Sequence, residues 1–247
     1  MTRQRITILN VPIDVLNKTA LLAQVVAWSG ETQPRTLTYV NAHCLNAAHD
    51  DPAYRAALQQ ADLVYCDGIG VVWAARWLTG ARLCKLTGRD WINDLCVQAA
   101  GRGLSLYLLG GRPGVARLAA LNLRQRYPAL RVLAARDGFF SEMSEAAVLA
   151  EIERLRPDLV LVGMGVPLQD VWLAQRRASI HAPVCWAVGA LFDLLAGVEI
   201  PVPPWMNVLA LEWLWRLLVD PRGKWKRYLL GNPLFFLRVA REKWHFD

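Results

Sequence analysis

Several short stretches place a carboxylate, an amide or a cation beside glycine just past an apolar run. Asp67-Gly68-Ile69-Gly70 follows one such run. A carboxylate there could take a proton from a hydroxyl as a general base. The same Asp-Gly pair also serves as a turn or as the N-cap of a following helix. In Leu108-Leu109-Gly110-Gly111-Arg112-Pro113-Gly114 a glycine turn leads into a helix start. Free N–H groups at a helix N-terminus attract phosphate, and Arg112 could add a charge-assisted contact; an ordinary strand-to-helix turn fits equally. Asn41-Ala42-His43 offers an amide for a sugar hydroxyl and a histidine that is either a base or a helix-start residue. Asp137-Gly138-Phe139-Phe140 could flank a base or sugar with aromatics, or could be a turn with a core anchor. Gly163-Met164-Gly165, Pro167 and Gln169-Asp170 close another apolar run, and Phe192-Asp193 is either structural or pocket-lining.

The spacing also excludes chemistry. Neither G-x-G-x-x-G nor G-x-x-x-x-G-K-[ST] occurs, so a dinucleotide fingerprint and a P-loop are ruled out. No D-x-D and no His/Cys/carboxylate cluster has ligand spacing, so no metal and no cofactor is expected. The five cysteines lack a C-x-x-C pair and sit mostly among apolar residues, as reduced core thiols do. The N-terminus does not read as a signal peptide. No uncharged apolar stretch reaches the roughly 18 residues of a spanning helix, so a cytoplasmic location is expected.

Elements must bring these residues together. Strands are expected at Ile6–Asn10, Thr36–Val40, Asp62–Cys66, Leu104–Leu109, Arg131–Arg136, Leu159–Gly163 and Val184–Val188. Helices are expected at Lys18–Trp28, Pro52–Gln60, Val71–Leu78, Arg89–Ala100, Gly114–Tyr127, Ser144–Leu155 and Gln169–Ser179. The alternation implies an α/β fold, a Rossmann-like, mostly parallel sheet with helices on both faces. Every candidate above then falls at a strand's carboxyl end, where such sheets bind ligands.

The pattern changes near residue 200, so residues 1–200 are read as an α/β core and 201–247 as a helical appendage. Helices are expected at Met206–Val219, with Met206, Leu209, Trp213 and Leu217 on one stripe, and from Pro233 to about Lys243. From Trp205 onward eight Lys/Arg face four Asp/Glu, and five of the eleven tryptophans lie there. Arg222, Lys224, Trp225, Lys226 and Arg227 put four cations around one tryptophan. Such a basic, Trp-rich tail suits an anionic membrane surface.

Taken in order, the pieces resemble the WecG/TagA/CpsF family, glycosyltransferase family 26. The landmarks are Asn41-Ala42, Asp67-Gly68, Thr87-Gly88 with Asp90, Leu109-Gly110-Gly111, Asp137-Gly138, Gly163-Met164-Gly165 with Pro167 and Gln169, Val188-Gly189 with Phe192-Asp193, and Leu211-Glu212-Trp213 with Arg216-Leu217. Arg227-Tyr228 and Asn232-Pro233 extend the likeness. The resemblance implies an inverting transferase. It would move a hexose-type sugar from a UDP-sugar to a polyprenyl-diphosphate-linked sugar, peripherally on the cytoplasmic face of the inner membrane, in cell-surface polysaccharide synthesis. It implies Asp67 as general base with Lys85 at the diphosphate. Donor contacts would come from Thr38, Asn41, Thr87, Gly110, Gly111, Arg112, Asp137, Gly138, Phe139, Gly163, Gly165 and Gln169. Arg216 and the 222–227 cluster would meet the acceptor and membrane. The family's Arg stands as Lys85 here, its Lys as Leu168, its Glu as Asp170, and its Arg-Ala-Pro as Pro201-Val202-Pro203. Lys lacks the bidentate fork of Arg, and these changes leave the donor sugar open.

A non-catalytic membrane-surface or nucleic-acid module on a Rossmann-like sheet is the competing reading of the basic tail. The polar residue or glycine turn at nearly every strand end favours the enzyme, for which no nucleic-acid partner is expected. The sequence leaves open whether the chain forms a homo-oligomer.

Overall fold

The computed structural model describes residues 3–139, 142–203, 205–206, 209 and 211–246. A hairpin, β1 (Arg5–Ile8) and β2 (Val11–Asp14), precedes a sheet of six parallel strands. These are β3 (Arg35–Val40), β4 (Leu63–Cys66), β5 (Ser105–Gly110), β6 (Arg131–Arg136), β7 (Leu159–Gly163) and β8 (Val184–Ala187). Their order is β4-β3-β8-β7-β5-β6. All six match the expected strands to within a residue or two. Strands β5 and β7 are buried along their whole length, which is why they read as unbroken apolar runs.

The flanking helices are α1 (Lys18–Trp28), α2 (Ala42–Asp50), α3 (Pro52–Gln60), α4 (Ile69–Thr79), α5 (Gly88–Arg102), α6 (Val115–Arg126), α7 (Glu142–Leu155), α8 (Leu168–Arg176) and α9 (Leu191–Leu195). Strand alternation divides the core. Leu37, Tyr65, Leu108, Leu161 and Trp186 pack on one face with α1, α5 and α6. Val40, Val64 and Cys66 meet α2, α3 and α4 on the other, and Leu109, Val160 and Val162 meet α7 and α8 there.

Helix α2 and the second hairpin strand are additions to the expected elements. Asn41 starts α2 by accepting from the His43 and Cys44 N–H groups. Buried Asp14 fixes the hairpin against the sheet: it accepts from Arg5 Nε at 2.8 Å and from the Val64 N–H at 2.8 Å.

The tail helices are α10 (Glu212–Val219), α11 (Pro221–Trp225) and α12 (Gly231–Phe246), the last two joined by a π-helical turn, Lys226–Leu230. The expected helix Met206–Val219 is corrected to an interrupted one: Trp205 and Met206 are helical, Leu209 lies in a turn, Leu211 is in no helix and α10 starts at Glu212; residues 207, 208 and 210 lie outside the described ones. Its four-residue stripe does not form either, since Met206 is buried while Leu209 is 60% exposed. The final helix starts two residues before Pro233. Pro233 cannot donate an i→i−4 bond, and the wider turn just before it, where the Gly231 N–H reaches the Lys226 carbonyl, absorbs the interruption.

Helix α12 is sewn into the core. Phe235 and Val239 are fully buried among residues of α2, α4 and the hairpin. The Leu9 N–H donates to Glu242 at 3.0 Å, Asn46 Nδ2 donates to the Gly231 carbonyl at 2.7 Å, and Arg238 donates to the Asn46 carbonyl at 3.0 Å.

Candidate active site

A cavity of about 680 Å³ opens at the carboxyl ends of β3, β4 and β8 and is roofed by the tail. Asp67 and Asn41 both line it. The N–H of Asp67 extends the β4 ladder by donating to the Val40 carbonyl at 2.9 Å, which fixes the backbone. Asn41 has a double task. Its Oδ1 caps α2, which turns its Nδ2 toward Asp67 Oδ2, 3.3 Å away. Burial pushes the Asp67 carboxyl up to about 7; the Asn41 hydrogen bond opposes this, nearby Glu212 adds to it, and Arg216 and Arg227 oppose it. An acid poised there can exchange a proton at neutral pH. His43 also lines the cavity, but burial and then Arg227 lower it to about 4.

Four cations face the same space: Lys85, Arg89, Arg216 and Arg227. Two carboxylates hold three of them. Glu212 lies 3.6 Å from Lys85 and 3.0 Å from Arg216, and Glu199 lies 3.3 Å from Arg89 and 3.2 Å from Arg216. Arg227 has no ion pair among the described residues and rests 5.4 Å over the Tyr228 ring. Thr87 lines the wall too, with its N–H and hydroxyl donating to Asp90 at 2.7 and 2.8 Å as the cap of α5.

Other residues expected at the site lie beside or beneath it. Thr38 does not line the cavity. Being one residue off the parity of Asn41 along β3, it points to the opposite face, where its hydroxyl donates to Asp170 at 2.5 Å. Gln169 is wholly buried, and its Oε1 accepts the Gly189 N–H at 3.0 Å, so it supports the floor. Gly110, Gly111, Gly138 and Gly163 join the turns after β5, β6 and β7. The Gly111 N–H donates to the Gly163 carbonyl at 2.8 Å, and the Gly138 N–H to the Gly111 carbonyl at 3.1 Å. A Cβ on Gly110, whose φ is +145°, would fall 2.3 Å from the Gly163 carbonyl oxygen. These glycines therefore let backbones touch, and they stand outside the cavity wall. Gly165, Asp137 and exposed Phe139 sit on that same half of the edge, with the Phe139 N–H donating to Asp137. Arg112 is 3.9 Å from Asp193. Of the tail cluster, Arg216 and Arg227 line the cavity, whereas Arg222, Lys224, Trp225 and Lys226 do not.

Residues 6–247 match the family described as glycosyl transferase WecG/TagA/CpsF. The chain belongs to that family. It is therefore a glycosyltransferase, and the cavity around Asp67 is where its fold places a titratable acid among cations. Arg89, Glu199 and Tyr39 were not singled out from the sequence. Counting back by two from Asn41 reaches Tyr39, and Arg89 lies inside Thr87-Gly88-Arg89-Asp90, so both carried a signal. Glu199 reaches the site on the irregular segment after α9, which has no local signature.

Proposed function

We propose that this glycosyltransferase moves a hexose-type sugar from UDP to a polyprenyl-diphosphate-linked sugar, with inversion, in cell-surface polysaccharide synthesis. The observation that carries the reading is Asp67, oriented by Asn41 and raised to about 7, in a large cavity ringed by cations. Asp67 takes the proton of an acceptor hydroxyl. The hydroxyl oxygen attacks the anomeric carbon, and the bond to UDP breaks on the opposite face, its electron pair leaving with the diphosphate. Lys85, Arg89, Arg216 and Arg227 stabilise that charge. Because Glu199 and Glu212 already hold three of these cations, the diphosphate displaces internal carboxylates as it binds.

The tail supports a membrane-side acceptor. Leu218, Trp225, Leu229, Leu230, Leu237 and Trp244 are exposed close to its cations. Among the described residues no helix is long and apolar enough to cross a membrane, so contact would be at the surface. The test is UDP release from a panel of UDP-sugars with a short-chain lipid-linked acceptor. Asp67→Asn should lower the rate about 10²–10⁴-fold. Release from none of the donors, or an undiminished variant, would refute the reading.

A further inference from the structure

Tyr39 lies in the cavity floor, and the fold makes unusual provision for it. It is the last-but-one residue of β3, on the same strand face as Asn41, and it pairs in register with Tyr65 of β4. The two rings sit 6.3 Å apart, and Tyr65 meets Trp186 edge-on at 6.1 Å. This aromatic row fixes the Tyr39 ring and directs its hydroxyl toward the turn after β8. There it abuts Gly189: a Cβ on that glycine would lie 2.2 Å from the hydroxyl oxygen. Gly189 also has φ +58°, a conformation L side chains rarely adopt. Its N–H is taken by Gln169, itself wholly buried. Three elements, β3, β8 and α8, therefore cooperate to seat one phenol between Val188 and Ala190 of the cavity wall. Among the described residues the hydroxyl has no hydrogen-bond partner.

We infer that the Tyr39 hydroxyl binds the transferred sugar, hydrogen-bonding one of its hydroxyl or acetamido groups and so selecting the donor. The inference rests on the transferase reading above and adds a residue to it. A neutral phenol suits a neutral carbohydrate group rather than a diphosphate. Burial, and after it the neighbouring Cys44, Asp67 and Asp170, push its ionisation well above the usual tyrosine range, so it stays a donor. Leu209, Trp213 and Phe236 line the cavity on the tail side, the side from which the proposed lipid-linked acceptor would enter. Tyr39 is at the opposite, sheet side, which leaves it to the donor sugar.

The test compares UDP with UDP-sugars in Tyr39→Phe, which keeps the ring and the packing on Gly189. Calorimetric affinity for UDP should equal that of the wild type. Affinity for the best UDP-sugar should fall roughly 3- to 10-fold, the effect of one neutral hydrogen bond. KM for the acceptor should not change, and the wild type's preference among donor epimers should flatten. Equal losses for UDP and UDP-sugar, unchanged affinity for both, or a change confined to the acceptor KM would overturn the assignment to the donor sugar. Should the wild type bind neither UDP nor any UDP-sugar, the proposed UDP-sugar donor itself falls, a result distinct from the other three.

Discussion

At Asp67, position and electrostatics make one prediction about rate and another about stability. The carboxylate must be ionised to accept a proton, so kcat/KM should rise with pH along a limb centred near 7. His43, another titratable group in the wall, would place that limb near 4. One pH profile thus separates Asp67 from His43, and a limb near 4 would take the role from Asp67. Stability carries the opposite sign. An aspartate raised from about 4 in the unfolded chain to about 7 in the fold favours the folded state below the lower value. That contribution is lost as pH rises through 7. Asp67→Asn should therefore raise the thermal midpoint more at pH 8 than at pH 5, while transfer collapses at both. A variant that loses activity and is destabilised at pH 8 would point to a structural aspartate. The sequence marked the residue as an Asp-Gly after a buried run, a pattern that a turn or an N-cap fits as well, and only the family resemblance singled it out. Its partner Asn41 was legible as polar, but its cap-and-orient geometry depends on helix α2, which the apolar periodicity did not announce.

The carboxyl-end turns explain why so many glycines read as site residues. Sequence shows that a turn after β5, β6 or β7 is glycine-rich; it does not show whether the missing side chain makes room for a ligand or for another turn. Here Gly110 makes room for the Gly163 backbone, and Gly163 for the Gly189 carbonyl and the Phe192 ring. Gly110→Ala should cost at least ~2 kcal/mol, since it adds a forbidden φ to a backbone clash. Chemical denaturation would measure it, and a loss under about 0.5 kcal/mol would mean that the turns separate easily. The same parity argument that removes Thr38 from the cavity brings Tyr39 into it. Alternation along β3 was available from the sequence, but only the structure tells which face carries the site, because both faces of a doubly covered sheet are apolar.

At the scale of the molecule, the tail is two things at once. Its last helix completes the core through Phe235 and Val239, while the 222–226 segment projects cations and a tryptophan that take no part in the cavity. Composition marks the tail as basic and Trp-rich but does not divide it, since core-facing and surface-facing aromatics look alike in a sequence. The division supplies a cleaner test of membrane docking than deleting the tail, which would strip the core of buried side chains. Neutralising Arg222, Lys224 and Lys226 together to Gln leaves Arg216 and Arg227 at the cavity. A basic residue near an anionic surface contributes about 1 kcal/mol. Three removed should weaken binding to phosphatidylserine-containing vesicles roughly a hundredfold at low salt, with a smaller difference at high salt. Turnover of a short-chain, water-soluble acceptor should match the wild type, whereas turnover of a long-chain acceptor in anionic vesicles should fall. Unchanged vesicle binding would mean that the apolar surface of Leu229, Leu230, Leu237 and Trp244 docks without electrostatic help. Loss of turnover on the soluble acceptor as well would mean that these cations act inside the site rather than on the membrane.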